Sequence, residues 1–197
     1  MRWLLCIFYS IGKKLRRQYY RKKVFFDAWL SQGDLELPTR IKMAVPVVVN
    51  GCGRVAVGAR VVFGCSKSPK LGDGTILLQA RDAGAQIVIG EKTALSNNVS
   101  MIARQRIEIG RYCLIGDGVQ VVDSDFHGIK PDERRNTFGE TQCVRIGDNV
   151  WLGSRVLVLK GVIIGDGSII AAGAIVTSDI PASVIAGGVP AKVINRI

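Results

Sequence analysis

From Leu71 onward an aliphatic residue returns every six positions: Leu71, Leu77, Ala83, Ile89, Leu95 and Met101. Two extra residues intervene, and the step resumes at Ile109, Ile115 and Val121. After an interruption it runs on through Ile146, Leu152, Val158, Ile164, Ile170 and Val176. Fourteen of these fifteen anchors are Ile, Leu, Val or Met, and Gly follows the anchor in eight, so the pattern is one of core positions and tight corners. A small or β-branched residue often stands four places on, as at Thr75, Thr93, Val99, Val119, Val150 and Ser168. A period of six fits neither an α-helix, at 3.6, nor a long amphipathic strand, at 2. It fits a short strand and a turn, repeated. Three such sides close a triangular coil, and Ile146 and Ile164 are 18 residues apart, one turn of it. Each anchor is predicted to point inward, with the following Gly turning the corner where a Cβ would be costly. The fold predicted is an all-β solenoid, a parallel β-helix. The period does not set its hand.

The chain has 197 residues, room for one such domain and an appendage. The predicted division is a basic, partly helical segment at 1–42, the β-helix at 43–181 and a tail at 182–197. Aromatic residues are 7% of the chain, so the core is aliphatic. The five cysteines, Cys6, Cys52, Cys65, Cys113 and Cys143, have no close spacing. That argues against a disulfide framework and a CxxC metal site, and fits a reducing cytosol. No segment reads as a membrane span: the apolar run from Trp3 to Ile11 is about half the length a spanning helix needs. It does not read as a signal peptide either, because its basic residues follow the apolar run and no small-x-small site appears.

The interruption is where chemistry is expected. After Val121 the next anchor is due at 127 and arrives at Ile146. A loop of about 127–145 therefore projects from one side of the coil, and long loops on rigid scaffolds tend to carry function. At its root lies Asp123-Ser124-Asp125-Phe126-His127, and His127 is the chain's only histidine. A free imidazole titrates at about 6.5, so it can take and return a proton near neutral pH. In extended chain Asp125 shares a face with His127 and could hold one ring nitrogen, leaving the other as base. Asp123 shares that face and could take the same role or bind substrate hydroxyls. One histidine and scattered cysteines cannot supply the three protein ligands of a catalytic zinc, so no metal is expected.

The run IGDNVWLGSRVLVLKGVIIGDGSIIAAGAIVTSDIPASVIAGGVPAKVI, Ile146 to Ile194, resembles the hexapeptide-repeat acyltransferases. It closely resembles the C-terminal half of the galactoside and maltose O-acetyltransferases and of the capsule and lipopolysaccharide O-acetyltransferases. The resemblance implies a left-handed coil, a homotrimer with its site between subunits, and acetyl-CoA as acyl donor. It implies His127 as general base. This chain has Gly128 where the family often has Pro, and Leu95-Ser96 where it often has an aliphatic-Asn step. Ser96 and Asn98 are then the candidates for positioning the substrate oxygen. The same resemblance places Trp151, Gly153, Ser154, Ala172 and Thr177 along the coenzyme groove. It places Lys192 and Arg196, in the closing GVPAKVI motif, near the coenzyme phosphates, so that the tail closes the coenzyme site. The function implied is acetyl transfer to a sugar hydroxyl in surface polysaccharide or lipopolysaccharide biosynthesis. N-acetylation of an amino sugar, or a xenobiotic acetyltransferase, is the alternative on the same fold. A non-catalytic assembly module is the alternative of another class.

The formal charge is +11, and residues 1–42 carry ten Lys/Arg against three acids. Lys13 to Lys23 holds seven basic residues and no acid, with Tyr19, Tyr20, Phe25, Phe26 and Trp29 in or near it. Two readings stand: residues 1–30 as an interfacial helix on the inner face of a cell membrane, or a helix covering the open end of the solenoid. With charge confined to one end and no binding motif, nucleic acid is not an expected partner. The expected setting is cytoplasmic.

Overall fold

The computed structural model describes the backbone of residues 2–197 and the side chains of 11, 12 and 14–197. It opens with one helix, α1 (Arg2–Leu30), and continues as a three-sided coil of short strands. The first face stacks Asp34–Glu36, Arg54–Val57, Gln86–Ile89, Arg106–Ile109, Val144–Ile146 and Ile163–Ile164. The second face stacks Lys42–Met43, Val62–Phe63, Ala94–Leu95, Leu114–Ile115, Trp151–Leu152, Ile169–Ile170, Val184–Gly188 and Ala191–Arg196. The third face stacks Val47–Asn50, Ile76–Ala80, Ser100–Ala103, Gln120–Val122, Leu157–Val158 and Ile175–Val176. Neighbours are parallel throughout, except that Ala191–Arg196 turns back antiparallel on Val184–Gly188. The coil begins at Asp34, before the residue 43 expected from the sequence, because Asp34–Glu36 already pairs with Arg54–Val57.

Register shows why six is the period. Ile146 lies beside Ile164, Leu152 beside Ile170 and Val158 beside Val176, each a turn apart. Higher up, Ile89 lies beside Ile109, Leu95 beside Ile115 and Met101 beside Val121, with two residues more per turn. Twelve anchors from Ile89 onward are buried, as predicted. Full burial of side chains this size contributes about 1.5–3 kcal/mol each. At the corners the chains approach closely: a Cβ on Gly90 would lie 2.5 Å from the Gly110 carbonyl carbon. Glycine is needed there for clearance, so that one corner can rest on the next.

Three anchors are out of phase. Leu71 is 77% exposed, Ala83 is exposed, and Leu77 faces outward while Ile76 and Leu78 face in. The corners at 64–75 and 81–85 are irregular in length, and counting by six across them slips the register. In a strand a one-residue slip exchanges the two faces.

Helix α1 packs over the first turn of the coil, with Val24 and Ala28 buried and Tyr20 packed against the core. It ends where Gln32 takes the left-handed conformation (φ 59°) and Gly33 N–H returns to the Ala28 carbonyl at 2.9 Å. The helix therefore covers the open end of the coil, one of the two readings of the basic segment, and this packing leaves its opposite face unoccupied. No described helix is long and apolar enough to cross a membrane.

Candidate active site

The interruption is an excursion over residues 123–143, between the third-face strand Gln120–Val122 and the first-face strand Val144–Ile146. Its arms run antiparallel. Asp125 N–H donates to the Glu140 carbonyl (2.9 Å), Gly139 N–H to Asp125 (3.0 Å) and Gln142 N–H to Asp123 (2.8 Å). The tip closes in a helical turn, with Arg134 N–H on the Lys130 carbonyl (3.2 Å) and Thr137 N–H on Glu133 (2.9 Å). The loop lies along the corner between the third and first faces. There the Arg81 guanidinium covers the Phe126 ring at 4.5 Å, and Arg104 covers Phe138 at 3.8 Å. Such contacts contribute about 0.5–1 kcal/mol each when exposed, and these two hold the loop against the two preceding corners.

His127 is exposed, and its Nδ1 lies 2.8 Å from the carbonyl oxygen of Arg134. A carbonyl can only accept, so Nδ1 carries the proton and Nε2 presents a lone pair. The orientation of the ring and its tautomer are thus set by the main chain of its own loop.

The expected Asp125–His127 pair is not formed. Asp125 is ion-paired with Lys160 from the next corner, and Glu140 joins at 3.2 Å. The Asp125 hydrogen bond raises the Lys160 pKa above that of a free lysine, desolvation opposes it, and Glu140 adds to the rise. The chain bends at Phe126 and His127, so the two-residue periodicity that put both side chains on one face ends there. Asp123, expected to orient His127 or bind substrate hydroxyls, faces into the fold instead. It is fully buried and accepts from the backbone N–H groups of Arg104 (2.8 Å), Gln105 (2.7 Å) and Arg106 (2.8 Å).

Ser96 and Asn98 lie at another corner, between the second and third faces. Ser96 Oγ meets Ser68 Oγ at 2.5 Å. Asn98 bonds the Pro69 carbonyl (3.2 Å), the Leu71 N–H (3.3 Å) and Asp117 (2.7 Å). Between them, Asn97 is fully buried and bonds Cys65, Ser68 and Pro69. These amides hold the 64–71 loop, and in this chain neither Ser96 nor Asn98 is on the edge that carries His127.

The other expected site residues divide between two places. Thr177 is exposed on the His127 edge, two corners further on. Trp151, 51% exposed, stands on the second face between Leu114 and Ile169. Ser154 and Ala172 are exposed at its corner with the third face, and Lys192 and Arg196 are exposed on its last strand. Gly153 is a close-packing residue: a Cβ there would lie 2.6 Å from Ala172 N, and its own N–H is bonded to the Ile170 carbonyl. In a three-sided coil the second face lies opposite the third-to-first edge. A single chain therefore does not bring His127 to Trp151.

Two features were missed in the sequence. One is the pairing of Lys160 with Asp125 across 35 residues. The other is a groove of about 530 Å³ on the second face, lined by Arg16, Arg17, Lys42, Lys70, Ser96 and Trp151 among others. Its basic residues are scattered in sequence and no local spacing links them. Among the described residues no group of three or more His, Cys, Asp or Glu side chains is placed to hold a metal ion.

Residues 143–178 match the family described as bacterial transferase hexapeptide (six repeats). Galactoside O-acetyltransferase of Escherichia coli (strain K12) is 39% identical over 114 residues, which is 58% of this chain and 56% of that one. The chain thus spans little more than half the length of the curated relatives it matches. The hexapeptide-repeat acetyltransferase of Vibrio cholerae O1 biovar eltor, solved with acetyl coenzyme A, is 32% identical with a TM-score of 0.53, over 56% of this chain and 60% of that one. The polySia specific acetyltransferase is 27% identical with a TM-score of 0.64, over 79% and 68%. The strand stacking and the left-handed β-helix of these proteins are shared.

Proposed function

From the premise that this chain is a hexapeptide-repeat protein related to the O-acetyltransferases, we propose that it transfers an acetyl group from acetyl-CoA to a sugar hydroxyl. The pathway proposed is surface polysaccharide or lipopolysaccharide biosynthesis, in keeping with relatives whose names include a lipopolysaccharide O-acetyl transferase and a polySia specific acetyltransferase.

The observation that carries the reading is the Nδ1 contact of His127 with the Arg134 carbonyl, which leaves Nε2 as acceptor. In the reaction Nε2 takes the hydroxyl proton, and the hydroxyl oxygen bonds to the thioester carbonyl carbon. The tetrahedral intermediate expels the thiolate, which receives the proton from Nε2. Nδ1–H stays on Arg134 throughout and stabilises the imidazolium.

The coenzyme residues, Trp151, Ser154, Ala172, Lys192 and Arg196, lie across the prism from His127. The site proposed is therefore shared: the loop of one copy meets the second face of another in a homotrimer, with Thr177 on the loop's edge. The outward-facing ladder Leu114–Trp151–Ile169–Ile185, exposed at Leu114 and Trp151 and half-buried at Ile169 and Ile185, supports this, since an apolar strip on a solenoid face needs a partner.

The test is thiol release from acetyl-CoA with a panel of neutral, acidic and amino sugars. His127→Ala is expected to lower turnover by about 10²–10⁴-fold with the fold intact. A variant with near-normal rate removes His127 from the mechanism. Transfer only to amino sugars would replace O-acetylation by N-acetylation.

A further inference from the structure

Helix α1 has two apolar faces. One is docked: Val24 and Ala28 are buried against the first turn of the coil. The other is bare. Ile11, Leu15, Tyr19, Phe26, Trp29 and Leu30 are each between 49% and 72% exposed. At 3.6 residues per turn these six fall within an arc of about 100°, centred roughly opposite Val24 and Ala28. The Phe26 and Trp29 rings sit together, centroids 5.9 Å apart. The stripe therefore looks directly away from the solenoid.

Cations border the stripe on both sides. Lys14 lies on one flank, Arg16 on the other, and Lys22 stands within it. All three are exposed and form no ion pair with the described side chains. The single acid of α1, Asp27, is already held by Lys23 at 2.6 Å. Nothing acidic on the helix offsets the other charges.

We propose that α1 is an interfacial helix that lays this stripe on an anionic bilayer, with the N-terminal end of the coil toward the membrane. Aromatic side chains suit the headgroup boundary, and flanking Lys and Arg suit anionic headgroups. A second copy of the helix is the poorer occupant, because self-pairing would set one basic border against another. The orientation follows from the docked face. The 123–143 loop leaves the fourth rung of the third face, three strand spacings or about 14 Å beyond the first. His127 is then carried close to the membrane surface without entering it. Bilayer binding stands independently of acyl transfer, and its test is read without catalysis.

The full chain is mixed with vesicles of phosphatidylcholine alone, or of phosphatidylcholine with phosphatidylglycerol, and floated in a density gradient. Binding is expected to the anionic vesicles, and to weaken with salt. The Phe26→Ser/Trp29→Ser pair, both exposed, is expected to bind more than about tenfold more weakly, with circular dichroism and oligomeric mass unchanged. The Lys14→Gln/Lys22→Gln pair is expected to lose the preference for anionic lipid. No flotation with anionic vesicles overturns the proposal. So does undiminished flotation of the aromatic pair. A change of oligomeric mass in that pair, with vesicle binding retained, overturns it in favour of a subunit contact.

Discussion

The ring of His127 takes its orientation from the main chain of Arg134, through a contact of 2.8 Å between Nδ1 and the carbonyl oxygen. The partner is a backbone atom seven residues on, so the side chain of Arg134 is dispensable and the shape of the loop tip is not. Gly128 is packed against Glu133, and an added Cβ would lie 2.6 Å from Glu133 Cβ. Gly128→Ala is expected to push the tip away and lower turnover by about tenfold or more, as a loosened catalytic group does. Arg134→Ala should stay within about twofold of the parent. Steady-state kinetics on both variants, with melting temperatures measured in parallel, checks the contrast.

Asp123 should behave as a structural residue. Removing its carboxylate leaves the backbone N–H groups of Arg104, Gln105 and Arg106 without that acceptor. Asp123→Ala is expected to cost about 2–4 kcal/mol, because buried donors lose their partner. Urea denaturation measures this. A raised KM for the sugar with unchanged stability would instead return Asp123 to substrate binding.

Lys160 holds both arms of the loop root, through Asp125 on one and Glu140 on the other. Its pKa is raised, first by the Asp125 hydrogen bond. A raised lysine contributes its stabilisation fully below the ordinary lysine range and loses it as pH rises through the folded value. Hydrogen exchange in residues 123–143 is therefore expected to quicken in strong alkali beyond its intrinsic pH dependence. In Lys160→Met it should be fast already at neutral pH.

Asp148 ties two turns at the first-to-second corner. It accepts from Arg111 N–H at 2.8 Å and pairs with the guanidinium at 2.5 Å. The Arg111 side chain, then its backbone N–H, depresses the Asp148 pKa. The sign is opposite to that of Lys160: the contribution is present above the ordinary aspartate value and lost as pH falls through the folded one. Melting temperature should therefore drop on acidification below about pH 4. Asp148→Asn should flatten part of that drop, modestly, because the pair is solvent-exposed.

The proposed sharing of the site between copies predicts complementation. His127→Ala removes the base, and Ser154→Trp fills the proposed coenzyme corner on the opposite side of the same chain. Co-expression should give mixed oligomers in which one junction has both parts intact, with activity above either variant alone. Activity no higher than the parents', in oligomers shown to be mixed, would place the whole site within one chain.

The sequence by itself determined the coil, the excursion and the lone imidazole at its root. Those follow from local spacing: a six-residue aliphatic period, the glycines after the anchors, and a gap between Val121 and Ile146. Phase was legible only where corners keep constant length, so Leu71, Leu77 and Ala83 were assigned to the wrong face. The tertiary structure decided what each polar group at the loop root does. Asp123 is engaged by a corner seventeen to nineteen residues earlier, Asp125 by Lys160 thirty-five later, and His127 by a carbonyl that a helical turn delivers. It also decided that His127 and Trp151 lie on opposite sides of the prism. Spacing along a chain sets which way a strand residue faces, but hydrogen-bond partners depend on which turns stack, and stacking joins residues that no local pattern relates.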